Sequence, residues 1–249
     1  MRGITADIAA WTSEMDRSTW IRMRRGGTGG SDVSSMIGCN KYRDIQGLFL
    51  DKQQSEFEPD ADIIDDENQY MYWGHKLEPV VADESQIRIR ELVGPYTVQE
   101  YQAFLTHPHY PFMLANIDRV VTKKDKKGDK AIAVLECKTC GISRAREWGI
   151  EKAPLGYIAQ VMHYMMVTGL QEAYLACLIG GQRYTLKGIN WDDAIVENIM
   201  GAEIDFWSHV QRNVMPLDIS SEGMMARSLL EQGVEDGTLV TDIYDDNNR

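Results

Sequence analysis

Two apolar runs restrict this fold more than any other feature of the chain. Residues 112–122 (FMLANIDRVVT) and 131–139 (AIAVLECKT) flank the polar stretch KKDKKGDK. Runs of this length, rich in Val, Ile and Leu and separated by charges and a glycine, predict two strands of a hairpin with a long loop. Residues 97–105 (TVQEYQAFL) supply a third strand. Before them the period is helical: Tyr70, Trp73, Leu77, Val80, Val81 and Ile87 recur at three- and four-residue steps and predict a helix over 67–90. A further helix is expected over 5–23, followed by a glycine-rich break. Ser31 and Asp32 then stand where an N-cap belongs, ahead of Val33, Met36 and Ile37. Another short helix is expected near 44–53. After the hairpin come helices at 143–149 and 155–168, strands at 172–179 and 183–189, and a helix at 192–211.

That order reads as an α/β fold with a mixed sheet flanked by helices, in one domain over residues 1–236. Pro59 argues for a solvated loop over 54–66, and residues 237–249 are expected to form a loose acidic tail. The chain has 38 acidic and 26 basic residues, a net charge of −12. Such a balance first speaks against a nucleic-acid partner. Its distribution says otherwise. Residues 51–67 hold eight acids and one Lys, and residues 231–249 hold six acids and one Arg, so the rest of the chain is neutral. No run reaches the roughly 18 apolar residues of a membrane span, and the first residues lack a secretory apolar core. An intracellular, cytoplasmic protein is expected. Four cysteines are too few to staple a chain of 249 residues. Cys137 and Cys140 form a Cys-x-x-Cys that lacks the second pair zinc requires, so all four are expected to be buried, inert thiols.

The hairpin carries the chemistry. Glu136 and Lys138 share one face of a strand while Cys137 points to the other. A hairpin centred on Lys127 sets Asp118 opposite Glu136, with Cβ atoms about 4.5–5.5 Å apart. Two carboxylates so placed repel unless a cation joins them, and oxygen ligands suit Mg²⁺ or Mn²⁺. Lys138 would then orient or activate a water, or offset charge on phosphate. The plainer alternative is an exposed face of an edge strand. Against it, Asp118 stands among Leu114, Ala115, Ile117, Val120 and Val121, where an unpaired charge is costly.

Asp118 followed by Glu136-Cys137-Lys138 resembles the signature of the PD-(D/E)XK nuclease superfamily. The chain is more specifically similar to the YqaJ-like viral recombinase and phage lambda exonuclease family. Four other segments fall in that family's order: Arg24-Arg25-Gly26-Gly27-Thr28-Gly29-Gly30-Ser31-Asp32-Val33, Trp73-Gly74-His75-Lys76-Leu77-Glu78-Pro79, the run Pro111 to Asp118, and Tyr157-Ile158-Ala159-Gln160-Val161-Met162-His163-Tyr164. The resemblance implies a restriction-endonuclease-like core. It makes Asp118, Glu136 and the Cys137 backbone carbonyl metal ligands, with Glu78 completing the site around two Mg²⁺ (or Mn²⁺) ions. Lys138 becomes the catalytic lysine and Gln160 its positioning partner. Arg24 or Arg25, with Ser31, would grip a 5′-phosphate, a role suited to a guanidinium, a hydroxyl and helix N–H groups. His107 and His109 are expected to be structural, and His163 to stand behind the site.

The implied activity is that of a Mg²⁺-dependent 5′→3′ exonuclease on double-stranded DNA ends in phage-type recombination. A homotrimeric ring and a single-strand annealing partner are implied with it. A structure-specific or endonucleolytic nuclease and a non-catalytic DNA-end-binding protein are the alternatives.

Overall fold

The computed structural model describes residues 1–57 and 69–246, without the side chains of 55–57. Its main sheet has six strands. They are β3 (Thr97–Glu100), β6 (Arg119–Asp125), β7 (Gly128–Cys140), β8 (Glu172–Ile179), β9 (Arg183–Asn190) and β10 (Val240–Asp245), in the spatial order β10-β9-β8-β7-β6-β3. Only β7 and β8 are parallel. The crossover between them contains α5 (Leu155–Thr168), as a parallel pair requires. A smaller sheet joins β1 (Asp7–Trp11), β4 (Ala103–Thr106), β5 (Met113–Ala115) and β2 (Thr28–Gly29).

Helices cover both faces of the main sheet. On one side α4 (Gln69–Leu92) packs Val81, Ala82 and Ile89 against Ala133, Leu135, Cys137 and Leu186. On the other, α5 is buried from Ile158 through Thr168 against β7, β8 and two more helices, α6 (Asp193–Arg212) and α7 (Ser221–Glu235). Alternating residues of β7 therefore serve two cores, and Leu135 and Cys137 belong to the α4 side. This is the mixed α/β architecture expected.

Several elements differ from the sequence pattern. The helix expected over 5–23 is β1, a 3₁₀ turn (Thr12–Glu14) and α1 (Arg17–Arg25). Asp16 interrupts it by accepting from the Thr19 N–H at 2.8 Å and starting a new helix, while β1 pairs with β4. The expected strands 97–105 and 112–122 each split between the two sheets, at Tyr101-Gln102 and at residues 116–118. The helix expected at 143–149 is a 3₁₀ segment, Ile142–Trp148, and α7 had no counterpart.

Within the tail expected to be loose over 237–249, Val240–Asp245 is a strand: Val240 pairs with Ile189 and Thr241 with Gly188. Its acids have a physical task. Lys187 is fully buried in β9 and bonds Asp242 at 2.5 Å, and Arg183 bonds Asp245 at 2.6 Å. Buried cations need such partners. The acidic loop expected over 54–66 lies largely outside the described residues, and α3 occupies Ile45–Phe57.

Candidate active site

The hairpin places its carboxylates by strand register. Arg119 faces Leu135, Val120 faces Val134 and Val121 faces Ala133. Extending that register sets 118 against 136. Nearer the turn the pairs become Lys123 with Lys130 and Asp125 with Gly128, because a bulge between Val121 and Thr122 shifts the count by one. Asp118 itself precedes β6, at the bend where the chain passes from the small sheet to the large one. Its Oδ2 accepts from the Cys137 N–H at 2.9 Å.

Glu136 is buried, and one of its oxygens is well satisfied. Oε1 accepts from the Lys138 ammonium at 2.5 Å and from the Gln160 amide at 2.7 Å. Gln160 also donates to the Tyr164 hydroxyl at 3.0 Å. Two turns of α5 thus hold the amide against β7, which answers why an amide sits in so apolar a helix. Oε2 of Glu136 is buried without a hydrogen-bond partner. A carboxylate oxygen left so is costly. Burial and the neighbouring Glu136 charge push Asp118 up to about 7. Burial acts to lower the Lys138 pKa, but the Glu136 and Asp118 carboxylates outweigh it and raise the group above its ordinary value. Lys138 is therefore held as an ammonium.

One buried and one half-buried carboxylate, an orphaned oxygen and one shared lysine are a donor set short of positive charge. Hard divalent cations with oxygen ligands fit that deficit. Glu78 does not presently join the set. Its Oε1 accepts from Arg119 at 2.6 Å, and the same guanidinium nitrogen donates to the Asp118 carbonyl at 2.7 Å. Burial and the nearby Asp118 charge raise Glu78 above the usual carboxylate range, offset by Arg119. With Glu78 so engaged, no group of three or more His, Cys, Asp or Glu side chains among the described residues is arranged to hold a metal ion.

These residues line a cleft of about 1320 Å³ whose wall also includes Arg24, Gly30 and Ser31. The glycine loop reaches the cleft because α2 (Gly30–Met36) starts directly against α5. A Cβ at Gly30 would stand 2.7 Å from the Tyr164 ring, so only glycine permits that approach. Arg24 donates to the Ser31 hydroxyl, and its guanidinium lies 5.2 Å over the Trp20 ring. Arg25 turns away: it bonds Gln54 at 3.1 Å and pairs with Asp51 at 3.5 Å. Asp32 is not the cap itself. As the third helical residue it accepts from the Gly29 N–H at 3.0 Å and from buried Lys52 at 2.7 Å.

Residues 19–171 match the YqaJ-like viral recombinase domain. The chain belongs to the YqaJ-like viral recombinase family. The uncharacterized protein YqaJ of Bacillus subtilis (strain 168) is 40% identical over 205 residues. That match covers 82% of this chain and 59% of the relative, so the chain spans less than two thirds of the relative's length. Among solved structures, an alkaline exonuclease (LHK-Exo) from Laribacter hongkongensis superposes with a TM-score of 0.60 at 18% identity, over 87% of this chain and 97% of that one. The same enzyme in complex with dAMP matches equally. A phage-related exonuclease from Haemophilus somnus 129PT gives a TM-score of 0.50 at 14% identity, over 83% and 96% of the two chains. The fold is shared with these exonucleases.

In this YqaJ-like chain Arg119 of the cleft carries the same sequence signal as Asp118, a charge within an apolar run. Lys52, buried beside Asp32, lies in a segment whose acids mask it. The basic character of the cleft comes from Arg17, Arg24, Arg119, Lys138 and Arg144, and not from Arg22, Arg25 or the Lys123–Lys130 turn. His107 accepts from the His109 and Tyr110 N–H groups and shapes a turn. His163 hydrogen-bonds Glu203 through Nδ1 at 2.7 Å and donates from Nε2 to the Leu114 carbonyl at 2.8 Å, and braces β5 from behind.

Proposed function

We propose that this chain is a metal-dependent deoxyribonuclease that degrades double-stranded DNA from 5′ ends and leaves 3′ single strands for phage-type recombination. One observation carries the reading. Asp118, Glu136, Lys138 and Gln160 meet in the same cleft as the Arg24–Ser31 pair. A hydrolytic centre and an anion cradle in one cleft suit a substrate whose terminal phosphate sets its position.

Asp118, Glu136 and the Cys137 carbonyl are the groups that would hold Mg²⁺ or Mn²⁺, with a second ion and Glu78 as the extension the family pattern suggests. When bound, the ion neutralises charge on the attacked phosphate and lowers the pKa of water. Gln160 fixes the Glu136 carboxylate by donating to Oε1, leaving Oε2 for the cation. The Lys138 ammonium, already beside that carboxylate, is placed to donate to a non-bridging phosphate oxygen as negative charge accumulates there. Arg24 and Ser31 bind the terminal phosphate through a guanidinium and a hydroxyl. Buried Lys52 holds the Arg24 carbonyl at 3.2 Å and keeps that end of α1 against α3. A homotrimer encircling DNA, a single-strand annealing partner and action in the host cytoplasm complete the reading and rest on the family resemblance.

The decisive test is timed digestion of 5′-labelled and 3′-labelled duplex, with and without the 5′-phosphate, and of closed circular DNA. Release from the 5′ end with preference for the phosphate is expected. Lys138→Ala should slow release by about 10²–10³-fold, the range for loss of one transition-state donor. Equal rates in wild type and variant would remove Lys138 from the chemistry. Cleavage of circles would transfer the site to an endonuclease, and gel retardation without cleavage in Mg²⁺ would leave only an end-binding protein.

A further inference from the structure

The Cys-x-x-Cys of the sequence is not a pair in three dimensions. Cys137 faces the α4 core, where burial holds its thiol well above the ordinary value. Cys140, three residues on, meets Cys177 of the neighbouring strand with sulfurs 3.7 Å apart. Register explains the meeting. Lys138 of β7 stands beside Cys177 of β8, and Cys140 lies two residues further along the same face. Cys177 is fully buried, whereas Cys140 is half-buried and lines the cleft.

Three groups favour negative charge on the Cys140 sulfur. The Cys177 thiol donates to it. Arg144 stands near it, positioned by its own bonds to Glu147 and to the Tyr157 hydroxyl. Trp148, a side chain with no exposed surface, adds to the stabilisation of the Cys140 thiolate through its indole N–H. Together they bring Cys140 down to about 7, the Cys177 hydrogen bond contributing most. Burial drives the Cys177 and Cys39 thiols upward. Of the four cysteines, Cys140 at the cleft wall has the thiol that ionises most readily, Cys177 is the buried thiol touching it, and Cys39 and Cys137 stand apart.

We propose that Cys140 and Cys177 form an oxidisable dithiol, with Cys140 attacking hydroperoxides and Cys177 resolving the product. In the first step the Cys140 thiolate attacks the peroxide. An S–O bond forms, the O–O bond breaks, and the alcohol, or water from hydrogen peroxide, leaves after taking a proton. In the second step Cys177 attacks the sulfenic sulfur. The S–S bond forms, the S–O bond breaks and water departs. The dithiol loses two electrons and two protons, and the peroxide is reduced. The sulfurs must approach from 3.7 Å to the roughly 2.05 Å of a disulfide. The bond would tie β7 to β8 two residues from Lys138, on the cleft wall. An exogenous thiol reverses it.

The test uses the full-length reduced protein, stoichiometric hydrogen peroxide, thiol counting and peptide mapping. It reads thiol chemistry and does not depend on nuclease activity. Two of the four thiols should disappear, with a Cys140–Cys177 linked peptide that dithiothreitol removes. Cys140→Ser should lose thiols at least about tenfold more slowly, as expected when the low-pKa thiol is gone. Cys177→Ala should instead accumulate a sulfenic acid on Cys140 that dimedone traps. Early dimedone trapping in the wild type reads the same intermediate if that variant does not fold. Retention of all four thiols, a linkage through Cys39 or Cys137, or unchanged oxidation of Cys140→Ser would each overturn the assignment.

Discussion

Asp32, buried in the first turn of α2, and Asp118, half-buried on the cleft wall, are driven in opposite directions by their surroundings. Asp32 accepts from Lys52 at 2.7 Å, from Arg43 at 2.6 Å and from the Gly29 N–H. Burial acts to raise it, but Lys52, Arg24 and Arg43 hold its carboxyl far below the usual range. Asp118 accepts one backbone N–H and faces Glu136, and it is pushed up. The residue type is the same in the two places, with Asp32 buried and Asp118 half-buried. The number of cations in reach differs, and it separates a finished structural anchor from a site that still lacks charge. The Arg183–Asp245 pair beneath β10 belongs with Asp32, a carboxylate matched to a cation.

The contrast can be broken most forcefully at Asp32. Asp32→Asn should cost about 3–5 kcal/mol, since it strands a buried Lys52 without its carboxylate; urea melts read this directly, and a loss below 1 kcal/mol would deny Asp32 its anchoring role. At the other pole, added Mg²⁺ should stabilise the wild type by about 2.7 kcal/mol when the free ion stands a hundredfold above its Kd. Asp118→Asn should abolish that gain while leaving the metal-free protein no less stable, because it removes a carboxylate that repels Glu136. Thermal melts in EDTA and in Mg²⁺ separate the two effects, and an equal Mg²⁺ shift in the variant would detach Asp118 from the metal. The smallest effect concerns pH. A carboxyl depressed on folding contributes stability above its unfolded pKa, about 3.9, and loses it as pH falls through the folded value. Wild type should therefore lose stability below about pH 4 more steeply than Asp32→Asn. Parallel curves would show that Asp32 is not depressed.

The hairpin was the most legible part of the chain, and the reason is local. Strand period and loop composition set register over a few residues, so 118 opposite 136 follows from counting. It survives a bulge because the bulge offsets a turn half a residue from the assumed centre. Helix α5 and strand β8 fell on the expected residues for the same reason, as both are long and periodic. What failed was non-local. β1 is a strand because β4 offers it an edge, and β10 is ordered because buried Lys187 and half-buried Arg183 pair with its carboxylates. Neither reason lies within the segment concerned. Cys140 was paired with Cys137 by spacing, whereas the sheet pairs it with Cys177.

The sequence by itself determined the family, the mixed α/β class and the candidate residues of the site, since motif order and short-range periodicity are properties of the chain. Tertiary structure alone decided which charges are matched. It turned Arg24 rather than Arg25 toward Ser31, drew Glu78 to Arg119, and left one oxygen of Glu136 bare. Whether a buried charge is settled or unsatisfied depends on groups distant in the chain and adjacent in space. The net charge of −12 records none of this, because a carboxylate that holds a strand in place and one short of a cation count alike in the sum.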